Sequence, residues 1–238
     1  MWSLIRNLFA SCFGFAFMFA VFISSSGQAI VDNLVFLYFD FLGSSYTLMG
    51  VSVVLTVGFE IPIFHVAPTL LNIFGSGYLL LISSVCYIIR VVGYSLVPRG
   101  KMLYVLLLEP LHGVTYACSS SASVDFVSNL MPSQYEASGQ GILQLFGGSG
   151  SIIGLLFGGF AQDHLGPRLM YQIAALVVFM GSIFLSLTLA LGQAKSEIHF
   201  HNLIASHDKD EDFEMTEIEN KKFIPAKTNE MHDLTSSL

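Results

Sequence analysis

The stretch GYLLLISSVCYIIRVVGYSLVPRGKMLYVLLLEPLHG, residues 77–113, decides how this chain folds. Two long apolar runs flank a short turn at residues 98–101, and each run carries ionisable side chains along its length. Arg90 lies in the first run, and Glu109 and His112 lie in the second. A helix of about 20 apolar residues spans the roughly 30 Å hydrocarbon core of a bilayer. The stretch therefore predicts two membrane-spanning helices joined by a tight connection.

The apolar character extends over most of the chain. Of its 238 residues, 53% are hydrophobic and only 11% are charged, which excludes an ordinary soluble domain. Much of the charge lies at the C-terminal end, where residues 193–238 hold five lysines against ten acidic residues. We therefore predict a transmembrane domain over residues 1–192 and an acidic, disordered tail over residues 193–238.

Six segments are long enough to cross a bilayer as helices. They lie at about residues 10–39, 46–66, 77–97, 102–127, 138–161 and 169–192. Only helices and closed barrels pair all their backbone groups in lipid, and these uniformly apolar runs lack the alternation of barrel strands. The predicted fold class is an all-α membrane protein with six transmembrane helices. An even number of spans places both termini on one side, but the lysines and arginines do not decide which side.

Four ionisable side chains lie inside the predicted spans, at Glu60, Arg90, Glu109 and His112. A charged residue at the bilayer centre costs roughly 2.5–3.5 kcal/mol on insertion scales, so such residues usually mark a polar pathway or a proton relay. Glu109 and His112 stand three residues apart, share a helix face and can exchange a proton. Arg90 is permanently charged and needs a partner, either Glu60 or Glu109. The alternative is a static ion pair that fixes helix register.

Further polar side chains extend the candidate site. Asp32 and Asn33 in the first span predict a cavity wall or a helix irregularity. Gln140 and Gln144 share a face of the fifth span, where they line a pore or bond another helix, and the sequence leaves both alternatives open. The same span carries glycines at positions 150, 154 and 158, a spacing that lets helices approach closely. That glycine face predicts either an intramolecular contact or a dimer interface.

Motifs for other classes of function are missing from the sequence. It contains no glycine-rich phosphate loop, no nucleophile elbow and no HExxH motif, and the pair His199 and His201 lacks a third metal ligand. We therefore predict that the chain is not an enzyme, binds no cofactor or metal, and has no nucleic-acid partner.

Five stretches occur in an order that resembles the C-terminal half of a major facilitator superfamily transporter. They are Ile30 to Tyr38, Leu48 to Pro62, Arg90 to Tyr94, Glu109 to Gly113, and Gly139 to Gly159. They are similar to the lactose-permease-like branch, and most similar to the group called major facilitator superfamily domain-containing protein six. This resemblance implies one six-helix half of a two-half fold, with both termini cytoplasmic and solute held between the halves.

The resemblance also implies roles for individual residues. Arg90 and His112 fall where lactose permease has its arginine and histidine, and Asp32 falls at one of its first-span aspartates. The carboxylates differ, because Thr115 stands at the position of the proton-carrying glutamate and Glu109 lies one turn earlier.

Two further departures concern the second span and the missing half. Glu60 is displaced by about one turn from the corresponding acid, and the loop at residues 68–77 lacks every charged position of the superfamily signature. Because the six predicted spans match one half, three alternatives stay open: a fragment, a truncated product, or a half whose partner is an N-terminal half or a second copy of the chain.

The sequence thus predicts half of a secondary active transporter for a small polar solute, coupled to protons and embedded in a lipid bilayer. The predicted pathway residues are Asp32, Asn33, Glu60, Arg90, Glu109, His112, Gln140 and Gln144. A second hypothesis is a non-transporting membrane receptor or interaction partner, in which the ion pairs are structural and the acidic tail binds cytosolic factors.

Overall fold

The computed structural model describes residues 12–131 and 133–192, and within these residues every regular element is helical. The helices are α1 (Cys12–Phe41), α2 (Tyr46–Leu96), α3 (Leu103–Leu106), α4 (Pro110–Leu130), α5 (Glu136–Leu165) and α6 (Pro167–Gly192). By length and composition, α1, α2, α5 and α6 can each cross a membrane. The all-helical prediction is confirmed for the described residues. The predicted tail at residues 193–238 lies outside them, so the domain boundary stays a prediction.

Helix α2 contains the break between the second and third predicted spans. Its backbone leaves the helical conformation at Gly75, where φ is 75° and ψ is 164°, a combination that glycine adopts readily. The break divides α2 into a first arm, residues 46–74, and a second arm, residues 76–96. The loop predicted from the sequence over residues 68–77 is therefore too long, because only Gly75 leaves the helical conformation. The helix continues through Pro68, because one proline removes only one hydrogen bond from it.

The fourth predicted span, residues 102–127, is not one continuous helix. It is divided into the four-residue α3 and the longer α4, which begins at Pro110. Proline has no N–H to donate to the preceding turn, so it is favoured at the start of a helix, where that N–H would have no partner within the helix. Glu109 therefore occupies the capping position before α4.

Two clusters of buried apolar side chains hold the helices together. One surrounds Tyr38, Tyr94 and Tyr171, whose rings contact one another edge to face or at a tilt. The other includes Phe17 of α1 and Phe126 of α4, whose rings stack with centroids 3.9 Å apart. Tyr94 matters most for function, because its hydroxyl group reaches from the first cluster into the polar network described below.

The glycine face of α5 packs directly on the backbone of α1. A Cβ atom on Gly150 would lie 2.4 Å from the carbonyl oxygen of Phe22, and one on Gly154 would lie 2.3 Å from that of Ser26. Only a residue without a side chain permits this approach, which is how small residues bring helices together in lipid. Of the two alternatives for this face, the structure shows the intramolecular contact.

Candidate functional site

Two close contacts hold the first turn of α4 against both arms of α2. A Cβ atom on Gly113 would lie 2.6 Å from the backbone nitrogen of Glu60 in the first arm. In the second arm, a Cβ atom on Gly93 would lie 2.6 Å from Cδ1 of Leu108, just before α4. The absence of these side chains lets the polar residues at the start of α4 reach both arms.

Arg90 and Glu109 form the centre of the site. Nη2 of Arg90 lies 3.0 Å from Oε2 of Glu109, and each side chain is only 3% exposed. A buried guanidinium requires such a partner, because an unpaired charge in a low-dielectric interior is costly. The structure therefore identifies Glu109, and not Glu60, as the acid that pairs with Arg90.

Two hydroxyl groups complete the network around the Glu109 carboxylate. The Tyr94 hydroxyl accepts from Nε of Arg90 and donates to Oε1 of Glu109, with both distances 2.7 Å. Oγ1 of Thr56 lies 2.8 Å from Oε2 of Glu109 and 2.9 Å from the carbonyl oxygen of Ser52. A hydroxyl group has one proton to donate, so Thr56 donates to one of these acceptors at a time.

His112 joins the network through its Nδ1 atom, which is hydrogen-bonded to Nη1 of Arg90. A guanidinium only donates, so Nδ1 must accept, and the ring is neutral with its proton on Nε2. That Nε2 atom faces Oδ1 of Asp32 at 3.9 Å, which is too long for a hydrogen bond. The ring also lies parallel to that of Tyr116, with centroids 6.1 Å apart. Arg90 therefore fixes both the orientation and the tautomer of His112.

A pocket of about 140 Å³ opens beside this network. Its walls come from α1, the two arms of α2, and the start of α4. The polar groups that line it belong to Asp32, Ser52, Thr56, Arg90, Glu109 and His112, and the aromatic ones to Phe36 and Phe39. The pocket thus gives a small molecule access to the charged network.

Glu60 and Asn33 lie apart from the ion pair. The half-buried Glu60 side chain has no hydrogen bond or ion pair with a described residue, although its charge acts on Asp32. Nδ2 of Asn33 donates to the carbonyl oxygen of Ala29 at 2.8 Å, one turn back along α1. That bond satisfies the Asn33 amide locally and does not connect it to the network.

The two predicted glutamines lie in a separate region between α4 and α5. Nε2 of Gln140 is 3.2 Å from both the carbonyl oxygen of Val124 and Oγ of Ser128, so Gln140 bonds another helix. Gln144 instead lines a second pocket, of about 160 Å³. Its other polar lining residues are Ser25, Gln28, Tyr116, Ser119, Ser120 and Ser123. Of the eight predicted pathway residues, four meet at the first pocket, Gln144 lines the second, and Asn33, Glu60 and Gln140 line neither.

Two residues of the network were not predicted from the sequence. Tyr94 lies four residues after Arg90 on the same helix, and that spacing was a usable signal. Thr56 carries no such signal, because only the folding of the first arm of α2 against α4 brings it to Glu109.

Apolar helices that surround a buried ion network define the class of the molecule as an integral membrane protein of the transporter type. A model of the MFS_1 like family matches residues 5–173, and the chain belongs to that family. The predicted resemblance to the major facilitator superfamily is thereby confirmed at the level of the superfamily. Proteins of this class move solutes and are generally not enzymes.

Proposed function

We propose that this chain forms the C-terminal half of a secondary active transporter that moves a small polar solute together with protons. The observation that carries the proposal is the buried Arg90–Glu109 ion pair beside a pocket that also holds Asp32 and His112. Charges kept at bilayer depth commonly serve ion or substrate pathways, and here they lie within reach of a bound solute.

In this proposal Glu109 carries the proton. As a carboxylate it accepts hydrogen bonds from Arg90, Tyr94 and Thr56. When it is protonated, its new hydroxyl group donates to Oγ1 of Thr56, which turns its own proton to the carbonyl oxygen of Ser52. The ion pair with Arg90 is then lost, and the contact between α4 and the second arm of α2 weakens. Proton binding would in this way change the packing around the pocket.

The wider architecture follows from the same proposal. The two arms of α2 count as two spans, and α3 with α4 counts as one, which gives six. Both termini face the cytoplasm, and an N-terminal half or a second copy closes the open side of the pocket. Within the superfamily, the quoted motifs favour the lactose-permease-like branch and the group named domain-containing protein six.

Uptake into reconstituted vesicles tests the proposal. Two preparations are reconstituted: the chain alone, and the chain fused to an N-terminal six-span half. In each, the accumulation of labelled lactose, glutamine and tetramethylammonium is measured under an imposed pH gradient. We expect accumulation of at least one solute that Glu109→Gln and His112→Ala abolish. The matched controls are Glu136→Gln and His65→Ala, which alter exposed residues outside the pocket. Accumulation that the Glu109 and His112 variants leave unchanged would refute the assigned roles.

A second candidate is the non-transporting membrane receptor or interaction partner. One observation favours it: Nε, Nη1 and Nη2 of Arg90 are all paired, as they would be in a static lock between helices. Under this alternative, Arg90→Ala affects only assembly, seen as aggregation in size-exclusion chromatography, and the unmodified chain accumulates no solute under a pH gradient. Variants of Arg90 or Glu109 that assemble normally would then keep the receptor or partner-binding function, even when the charge of the ion pair is removed.

A further inference from the structure

Asp32 carries a carboxylate that makes no hydrogen bond or ion pair with a lysine or arginine among the described residues, although the charge of Arg90 acts on it. Its side chain is 43% exposed and borders the pocket beside the ion pair. The nearest donor that the structure places towards it is Nε2 of His112, which lies 3.9 Å away. An unpaired carboxylate in a membrane-spanning helix is costly, so a positive group from outside the described chain would stabilise it.

The positive charge nearest to Asp32 is already committed. Arg90 donates from all three of its nitrogens, and its charge is balanced by Glu109 at 3.0 Å. His112 is neutral in this arrangement because its Nδ1 atom accepts from Arg90. Arg90 attracts the Asp32 carboxylate and Glu60 repels it, and the effect of Arg90 is the larger of the two. With the carboxylates ionised, the surroundings of the pocket are therefore net negative.

The hydroxyl groups that line the pocket also favour a ligand that donates hydrogen bonds. Oγ of Ser52 donates its proton to the carbonyl oxygen of Met49 at 2.7 Å, and Thr56 donates to Glu109 or to the carbonyl oxygen of Ser52. These oxygens therefore offer lone pairs to the pocket. The donors at the pocket are Nε2–H of His112 and the two N–H groups of Arg90 that remain beyond its three hydrogen bonds, since a guanidinium carries five N–H groups.

The size of the pocket and its aromatic wall indicate a small, partly apolar molecule. A volume of about 140 Å³ is close to that of an engineered cavity of about 150 Å³ that holds benzene. Phe36, whose side chain is 43% exposed, and Phe39 form one wall. Aromatic rings attract organic cations that approach their faces.

We propose that the solute bound in this pocket is a small organic cation of the ammonium class. Asp32 is its counter-charge, Oγ of Ser52 accepts from any N–H group it carries, and Phe36 covers its apolar part. This inference rests on the proposed transport function, because it names the class of substrate that the same pocket takes.

Equilibrium binding to the full chain in lipid nanodiscs tests the inference. The probe is radiolabelled tetramethylammonium, and the unlabelled competitors are tert-butanol, a neutral molecule of similar shape, and trimethylacetate, an anion. We expect saturable binding of the cation that neither competitor displaces. Absence of saturable binding, or displacement by the neutral or anionic competitor at equal concentration, would overturn the inference. This comparison uses the unmodified chain and does not depend on any variant folding.

Two variants with matched controls identify the residues. Asp32→Asn should weaken binding of the cation about tenfold or more, because a charged acceptor is replaced by a neutral one. Asp40→Asn, on the same helix but outside the pocket, should not change binding. Phe36→Leu should weaken binding about two- to fivefold through loss of the ring face, while Phe15→Leu should have no effect. Equal affinities for Asp32→Asn and the unmodified chain would contradict the assignment.

The experiments can refute the transport proposal and the organic-cation proposal independently of each other. Asp32-dependent binding of tetramethylammonium without its accumulation in vesicles would support the cation site and count against transport. Accumulation of lactose under a pH gradient, without binding of tetramethylammonium, would support transport and overturn the cation class.

Discussion

The contact between α2 and α4 and the contact between α1 and α5 are both close, but they are built from different chemistry. Glycines on α5 meet the backbone of α1 at Phe22 and Ser26, and no titratable group takes part in that contact. The start of α4 also uses a glycine, Gly113, to approach α2, but it adds a buried ion pair with two hydroxyl groups. The first contact depends on shape and on one long hydrogen bond, in which Oγ of Ser151 lies 3.4 Å from the carbonyl oxygen of Ser25. The second also depends on the protonation state of Glu109.

The difference predicts that the two contacts respond to different changes. A shape-dependent contact fails when volume is added, whereas a charge-dependent contact fails when one partner is removed.

Arg90→Ala should have the largest effect. It leaves the Glu109 carboxylate buried without its cation, and breaking a buried pair in this way typically costs about 3–5 kcal/mol. The thermal unfolding midpoint of the purified chain in detergent micelles should fall accordingly. The control is Arg99→Ala, whose exposed guanidinium lies over the Phe41 ring and should contribute less than about 1 kcal/mol. Equal midpoints for the two variants would show that the α2–α4 contact does not depend on its ion pair.

Gly154→Ala should have an intermediate effect. The added methyl group would lie 2.3 Å from the carbonyl oxygen of Ser26, so α5 must move away from α1, and such overpacking typically costs about 1–3 kcal/mol. The matched control is Gly148→Ala on the same helix, where the added Cβ would meet no atom within 4 Å. The same unfolding measurement should show a lower midpoint only for Gly154→Ala. A similar fall for both variants would mean that glycine is needed for helix flexibility instead of contact.

Thr56→Val should have the smallest effect on stability. Valine keeps the shape of threonine but removes one hydrogen bond to Glu109, which leaves Arg90 and Tyr94 as donors and costs about 1 kcal/mol. Thr56→Val should reduce proton-driven uptake by more than its small loss of stability explains. The reason is that the Thr56 hydroxyl donates to the Glu109 carboxylate and accepts from the protonated Glu109 side chain. Thr56→Ser retains the hydroxyl group and should behave like the unmodified chain. Loss of uptake in Thr56→Ser would contradict this role.

Residue spacing predicted part of the site because its central members are close in sequence. Glu109 and His112 are one helical turn apart, and Arg90 is the permanent cation on the preceding apolar run, so these three were found. Which acid pairs with Arg90 depended on the approach of Leu108 to Gly93 on the second arm of α2, a three-dimensional contact that spacing does not encode.

The fold was predicted in outline for a similar reason. Apolar length identified the helices, but the position of the break in α2 did not follow from it. The sequence offers both Pro68 and Gly75 as interruption points, and the structure breaks at Gly75, where the backbone has a positive φ. Pro110 shows the opposite case, because a proline there does mark the start of a helix.

The double variant Arg90→Met/Glu109→Leu tests most directly whether the buried ion pair works in transport or only holds the helices. Replacing a buried pair with apolar residues of similar volume is often neutral or stabilising, so the double variant should unfold at a higher temperature than Arg90→Ala, although it removes both partners of the Tyr94 hydroxyl. We predict that it folds normally in micelles but accumulates no solute in vesicles under a pH gradient. Undiminished accumulation by this folded variant would contradict the account.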